Sequence, residues 1–140
     1  MPEPVYLGFD FGYKRIGVAV GQRLTGRARP LATLTAEAGV PDWRLVQRVL
    51  ADWQPAALVV GVPTRLDGNA LYTTPLALAF AEQLHQHTGI RVHTVDERYS
   101  TVEARAELFA EGGYRKIKSS EIDSLAACII LEQWLNQRVE

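Results

Sequence analysis

Three carboxylates in this sequence could do chemistry together. Asp10 breaks the apolar run Val5 to Phe9, Glu97 follows Asp96 at the end of IRVHTVD, and Asp123 stands near the start of the long apolar segment IDSLAACIILEQW. A carboxylate flanked by Phe9 and Phe11 is costly to bury unless a proton, a cation or hydrogen bonds replace its hydration. Two carboxylates about 4 Å apart repel by roughly 4 kcal/mol at an intermediate effective dielectric. A convergent trio therefore calls for shared protons or cations. Hard divalent ions take oxygen ligands, and Mg²⁺ commonly binds through a few carboxylates, waters and substrate phosphate oxygens. Paired metals can activate water and stabilise the leaving oxygen when a phosphodiester is cleaved. Each acid also has an ordinary use. Asp10 can cap its turn, Glu97 can pair with Arg98, and Ser120-x-x-Asp123 fits a capping box. Convergence makes metal binding the better joint reading.

Basic residues accompany each acid. Lys14 and Arg15 follow Asp10, Arg98 follows Glu97, and Arg115, Lys116 and Lys118 precede Asp123, so phosphates could be drawn to the metal edge, or these bases could be solvated surface charge. The loop GGYRKIKS combines paired glycines with three bases ahead of a helix N-terminus, and it is expected to close on bound nucleic acid. Tyr13, Tyr99 and Tyr114 lie near the acids and could stack on unpaired bases. The G-x-G-x-x-G fingerprint is not met, because Asp10 occupies the second glycine position. There is no phosphate-binding P-loop and no nucleophile elbow. His85 and His87 are two apart on a helix and face differently, so with His93 they make no convincing metal set.

Two strands, Val5 to Phe9 and Ile16 to Val20, joined by a glycine-bearing turn, carry Asp10. After Arg23, Arg27 and Arg29 in QRLTGRARP, the run LATLT completes a three-strand meander. Pro41 opens a helix with Trp43, Val46, Val49, Leu50 and Trp53 at helical spacing. AALVVGVP reads as a buried fourth strand. Thr74 and Pro75 start a second helix that Gly89 stops, and IRVHTVD is the fifth strand. Ser100 and Glu103 fit a capping box for a short helix ended by Gly112 and Gly113, and a last helix runs from about Ser120 to Gln137 with Asp123, Ala127, Ile130 and Trp134 on one face. The pattern predicts an α/β fold, a mixed five-stranded sheet with helices on both faces, its first hairpins antiparallel and its later strands parallel. Right-handed crossovers then bring Asp10 and Glu97 to one edge of the sheet.

With 140 residues, 47% of them hydrophobic, the chain has material for one domain spanning 1–140. A net charge of −1 gives no global attraction to polyanions, so a nucleic-acid partner must be held by a local patch. The lone cysteine, Cys128, forms no intramolecular disulfide and reads as a small buried hydrophobe. The absence of a signal-like start or a membrane-length apolar run makes a cytoplasmic protein with no membrane partner the expectation.

FDFGYKRIGVAVG, DERYSTVEA, the GGYR loop and IDSLAACIILE, with PDW, ADWQP and GVPTRLDG between them, resemble the YqgF (RuvX) family of pre-16S rRNA nucleases, distantly similar to RuvC Holliday-junction resolvases. The resemblance covers nearly the whole chain. It implies a ribonuclease-H-like fold with strand order 3-2-1-4-5, and it maps the acidic set onto Asp10, Glu97 and Asp123 by motif position. It also implies metal-dependent hydrolysis, with Mg²⁺ or Mn²⁺, at the 5′ end of precursor 16S rRNA. GVPTRLDG departs from the GLPLNMDG of relatives, and Tyr13 stands where D-x-G-T-K has a small residue. Related resolvases place an acid at the end of strand four, where this chain has Gly61-Val62-Pro63. Strands one and five would lie about 10 Å apart at ~4.8 Å per strand, so Glu97 must reach inward. Two alternatives stand beside the RNA nuclease. One is a Holliday-junction resolvase acting on branched DNA, which requires a homodimer; the other is a non-catalytic RNA-binding or assembly factor.

Overall fold

The computed structural model describes residues 3–63, 73–96 and 119–137. Six strands, β1 (Tyr6–Asp10), β2 (Arg15–Gln22), β3 (Arg27–Glu37), β4 (Val40–Pro41), β5 (Ala57–Val62) and β6 (Val92–Asp96), form one sheet in the order β4-β3-β2-β1-β5-β6. β1 pairs antiparallel with β2 and parallel with β5, which pairs parallel with β6. The expected order therefore holds for the five long strands, and the crossover logic that put the ends of β1 and β6 at one edge is met. Among the described residues the helices are α1 (Trp43–Trp53), α2 (Thr74–Thr88) and α3 (Ser119–Leu135).

A sixth strand was not expected. Ala38 (φ 51°) and Gly39 (φ 79°) both take left-handed backbone, which turns β3 back on itself and lets Glu37 pair with Val40. Such two-residue hairpin turns favour Asn-Gly or Asp-Gly. An Ala-Gly turn carries a weak sequence signal. β3 is also longer than LATLT, with an irregularity opposite Val18 and Ala19. Pro41 belongs to β4 and does not open α1; Asp42 does, its Oδ1 accepting from the Arg44 N–H at 3.0 Å. α2 begins one residue earlier than expected, with Thr73 at its cap, while the Thr74 hydroxyl donates to the Pro63 carbonyl. The short helix expected from Ser100 lies outside the described residues.

Side chains alternate between two cores. Leu7 and Phe9 join Ile16, Val18, Leu58 and Val60 against Val46 and Leu50 of α1 and Ala77, Phe80 and Leu84 of α2. On the other face Ala19, Val59 and Val95 meet Ala127, Cys128, Ile130, Leu131 and Trp134 of α3. Helices thus cover both faces, and the expected α3 stripe of Ala127, Ile130 and Trp134 is buried. Among the described residues no helix is long and apolar enough to cross a membrane.

Candidate active site

β1 ends at Asp10, whose lateral partners are glycines on both sides: Gly17 of β2 and Gly61 of β5. The same row continues to Val95 of β6. Residues two apart on a strand share a face. The Tyr6 ring centroid lies 5.0 Å from that of Trp134, the rings tilted by 59°, and a Cβ on Gly8 would lie 2.7 Å from the Leu131 Cβ and 3.0 Å from the Ala127 carbonyl oxygen. Tyr6 and Gly8 therefore face α3, and Asp10 is the next position on that face.

α3 runs over this row in the matching sense. Trp134 lies over Tyr6, Ala127 and Leu131 over Gly8, and the turn bearing Asp123 lies over Gly17, the cross-strand partner of Asp10. A Cβ on Gly17 would sit 2.0 Å from the Asp123 carbonyl oxygen and 2.8 Å from the Ser124 nitrogen. Only the missing side chain lets the helix backbone rest there. Directly opposed antiparallel residues carry their Cβ positions about 4.5–5.5 Å apart on one face. The sheet and the helix thus place Asp10 and the Asp123 turn at neighbouring positions on one face, at the edge where the parallel strands end.

Arg15 closes the arrangement. Its Nε donates to Asp123 Oδ2 at 2.8 Å, with side chains 47% and 23% exposed. At that exposure the pair contributes about 0–1 kcal/mol to stability. Its larger effect is on charge, since the guanidinium offsets one of two neighbouring carboxylates. Asp123 is the fifth residue of α3 as the helix begins at Ser119, so Ser120 is already helical and the capping-box alternative fails. Of the bases assigned to phosphates, Arg15 sits at the acids. Lys14 lines a separate cavity of about 660 Å³ with Glu37 and Asp42, and Tyr13 is half exposed. Glu97, Arg98, Arg115, Lys116 and Lys118 lie outside the described residues, as do Tyr99 and Tyr114.

The histidines serve packing. His87 stacks on Trp43 with ring centroids 3.9 Å apart, His85 Nδ1 is 3.0 Å from the Ile90 carbonyl oxygen, and His93 tilts against Trp134 at 4.9 Å. Sequence reasoning gives Gly17 no role, although a glycine inside the run RIGVAVG marks a close approach.

Two carboxylates on hard oxygen, with glycines on either side of one of them, suit a Mg²⁺ or Mn²⁺ ion that completes its shell with water and phosphate oxygen. Among the described residues there is no group of three or more acidic, His or Cys side chains placed to hold a metal.

The RuvX family model, described as Holliday junction resolvase, matches residues 4–137. A protein of Legionella pneumophila (strain Lens) named "Putative pre-16S rRNA nuclease" is 64% identical over 137 residues, covering 98% of this chain and 99% of that protein. Its namesake in Escherichia coli O157:H7 (strain EC4115 / EHEC) is 51% identical over 131 residues, 94% of this chain and 95% of the relative. Among solved structures, the T. thermophilus RuvC in complex with Holliday junction substrate superimposes with a TM-score of 0.52 at 19% identity, over 95% and 96% of the two chains. The fowlpox virus Holliday junction resolvase gives 0.55 at 12%, over 94% and 97%. At such identities the likeness is one of fold, and that fold is ribonuclease-H-like. The family match across residues 4–137, together with these near-full-length relatives, makes this chain a member of the RuvX family.

Proposed function

We propose that residues 1–140 form a single cytoplasmic nuclease domain that hydrolyses phosphodiester bonds of RNA with a divalent metal ion, acting at the 5′ end of precursor 16S rRNA. The observation that carries this reading is the contact of the Asp123 turn with Gly17, the cross-strand partner of Asp10. The name shared by the relatives supports the RNA substrate.

Asp10 and Asp123 would hold the ion, with Glu97 as the third carboxylate by its place in the family's motif. When bound, Mg²⁺ or Mn²⁺ supplies Lewis acidity at the phosphoryl oxygen and an activated water. The chain's own part is positioning. β1 fixes Asp10 at a strand end, α3 fixes Asp123 against Gly17, and Arg15 orients the Asp123 carboxylate through Oδ2. Arg15 also offers a guanidinium to a phosphate oxygen, a role that Lys14, Arg98, Arg115, Lys116 and Lys118 would share along the substrate.

A second reading is a Holliday-junction resolvase, favoured by the family's description and by the fowlpox resolvase solved with junction DNA, which superimposes with a TM-score of 0.50. It requires a dimer presenting two sites to two strands. A non-catalytic RNA-binding factor is the third.

The test is cleavage of a precursor RNA spanning the 16S 5′ end, beside a four-way DNA junction, by protein of known oligomeric state. The account expects metal-dependent cleavage of the RNA that Asp10→Asn abolishes while the fold persists. Preferential cutting of the junction by a dimer would move the assignment to the resolvase. Metal-independent RNA binding with no turnover would move it to the binding factor.

A further inference from the structure

The three arginines of QRLTGRARP take no part in the site above, and the structure gives two of them a shared cavity. Val5, Val20, Gly21, Gln22, Thr25, Arg27, Ala28, Arg29 and Trp53 enclose about 320 Å³, within the roughly 300–1,000 Å³ typical of ligand pockets. Trp53 forms an aromatic wall, and the Arg29 guanidinium carbon lies 5.2 Å from its ring centroid. Arg27 and Arg29, two apart on β3, share a face. Among the described residues no acidic side chain lines the cavity, and neither arginine has a salt-bridge partner. Their two charges exceed the roughly half-unit negative charge at the C-terminus of α1.

The backbone that carries the arginines is held in place before any ligand arrives. The Arg27 N–H donates to Thr25 Oγ1 at 3.2 Å, and Thr25 Oγ1 donates to the Gln22 carbonyl at 3.4 Å. Gly26, at φ 66°, is pinned through its carbonyl by Asn136 Nδ2 at 2.9 Å. The Ala28 N–H donates to Glu132 Oε2 at 3.1 Å. Arg23 lies apart, its guanidinium carbon 4.1 Å from the Trp134 ring centroid.

We propose that this cavity is a second nucleic-acid site, taking one phosphate-bearing nucleotide of a single-stranded RNA segment that flanks the cleaved bond. Its base would stack on the Trp53–Arg29 platform, and its phosphate would lie between the two guanidinium groups. Gln22 and Thr25 add polar groups at the rim. The inference rests on the nuclease reading for the identity of the RNA. Arg15 and Gln22 mark opposite ends of β2, so the cavity lies at least about 23 Å from the acids at ~3.3 Å per residue along the strand, and on the opposite face of the sheet. That span equals about seven stacked steps at ~3.4 Å each. The site would therefore act only on substrates long enough to reach both places.

Binding is measured in EDTA, so that no turnover is needed, by fluorescence anisotropy of a labelled single-stranded RNA long enough to reach both sites, ~20 nucleotides for the roughly seven-step span. The double variant Arg27→Ala/Arg29→Ala should weaken binding at least about tenfold and lower the slope of log affinity against log salt by ~1.4, about 0.7 per charge on a single strand. Trp53→Leu should weaken it about 5- to 150-fold, with Trp53→Phe recovering most of the loss. The arginine variant, on the exposed hairpin, also serves if Trp53→Leu fails to fold. Wild-type affinity and slope in the double variant would overturn the proposal, as would a change confined to self-association. In the presence of Mg²⁺ the double variant should lose efficiency on long substrates and keep it on ones of ~5 nucleotides, too short for the roughly seven-step span. A wild-type protein that cleaves nothing while the slope difference persists would remove the nuclease reading and leave the second site standing.

Discussion

On the face covered by α1 and α2, contact is made by large side chains. Phe80 lies with its ring centroid 6.0 Å from Phe9, 5.4 Å from Phe11 and 6.3 Å from Trp43, and it stands α2 off the sheet. On the face covered by α3, contact is made by backbone, at Gly8 and Gly17 beneath Ala127 and Asp123. Interaxial separation follows the size of the residues at the contact. The small residues of the second face, Ala126 and Ala127 on the helix and glycines on the strands, are what bring a helix-borne acid down to a strand-borne one. One face is a thick core, and the other carries a second core with the acids at its Asp123 end.

Perturbing the two faces should therefore give opposite signatures. Phe80→Ala should cost about 3–5 kcal/mol, the range for truncating a buried aromatic, read by urea denaturation, while the protein that remains folded keeps wild-type metal affinity. A loss under ~1 kcal/mol would show that this face does not depend on its aromatic cluster. Gly17→Ala should cost less stability, about 1–3 kcal/mol for overpacking, yet lower the cleavage rate by about 100-fold, because it displaces the Asp123 backbone by the order of 1 Å. A fully active Gly17→Ala enzyme would show that close approach is not what builds the site.

Much of this was legible in the sequence, and the failures have physical causes. The strand-turn-strand around Asp10, the helical spacing from Trp43 to Trp53 and the apolar stripe running back from Trp134 to Asp123 each follow from local periodicity. The edge strand at Val40 was missed because its turn uses Ala38 in a left-handed conformation that alanine disfavours. The ion pair between Arg15 and Asp123 joins residues 108 positions apart. No local rule reports such a pair, so the sequence offers Arg15 as a phosphate-binding base or as solvated surface charge and not as the partner of Asp123. Gly17 was visible as a letter, but its meaning required knowing which helix lay above it.

The smallest expected effect lies at the far end of the α3 face. Burial against Trp134 first, then the positive charges of Arg91 and Arg23, hold the His93 pKa below its usual 6.5. The unfolded chain thus takes up this proton before the folded one does. His93 favours folding fully above about pH 6.5, and its contribution is lost as pH falls from there through the lowered value. His93→Gln should flatten the dependence of melting temperature on pH below about 6.5, with metal affinity unchanged. An unaltered pH profile in that variant would assign the acid sensitivity elsewhere.

The central claim is that Asp10 and Asp123 form one divalent-cation site. The direct measurement is Mn²⁺ titration followed by electron paramagnetic resonance, in the wild type, Asp10→Asn, Asp123→Asn and the double variant. One shared site predicts that each single substitution weakens binding by at least about tenfold and that the double weakens it little further, since ligands of one ion act as a unit. Wild-type affinity in both single variants, or losses that simply add, would contradict it.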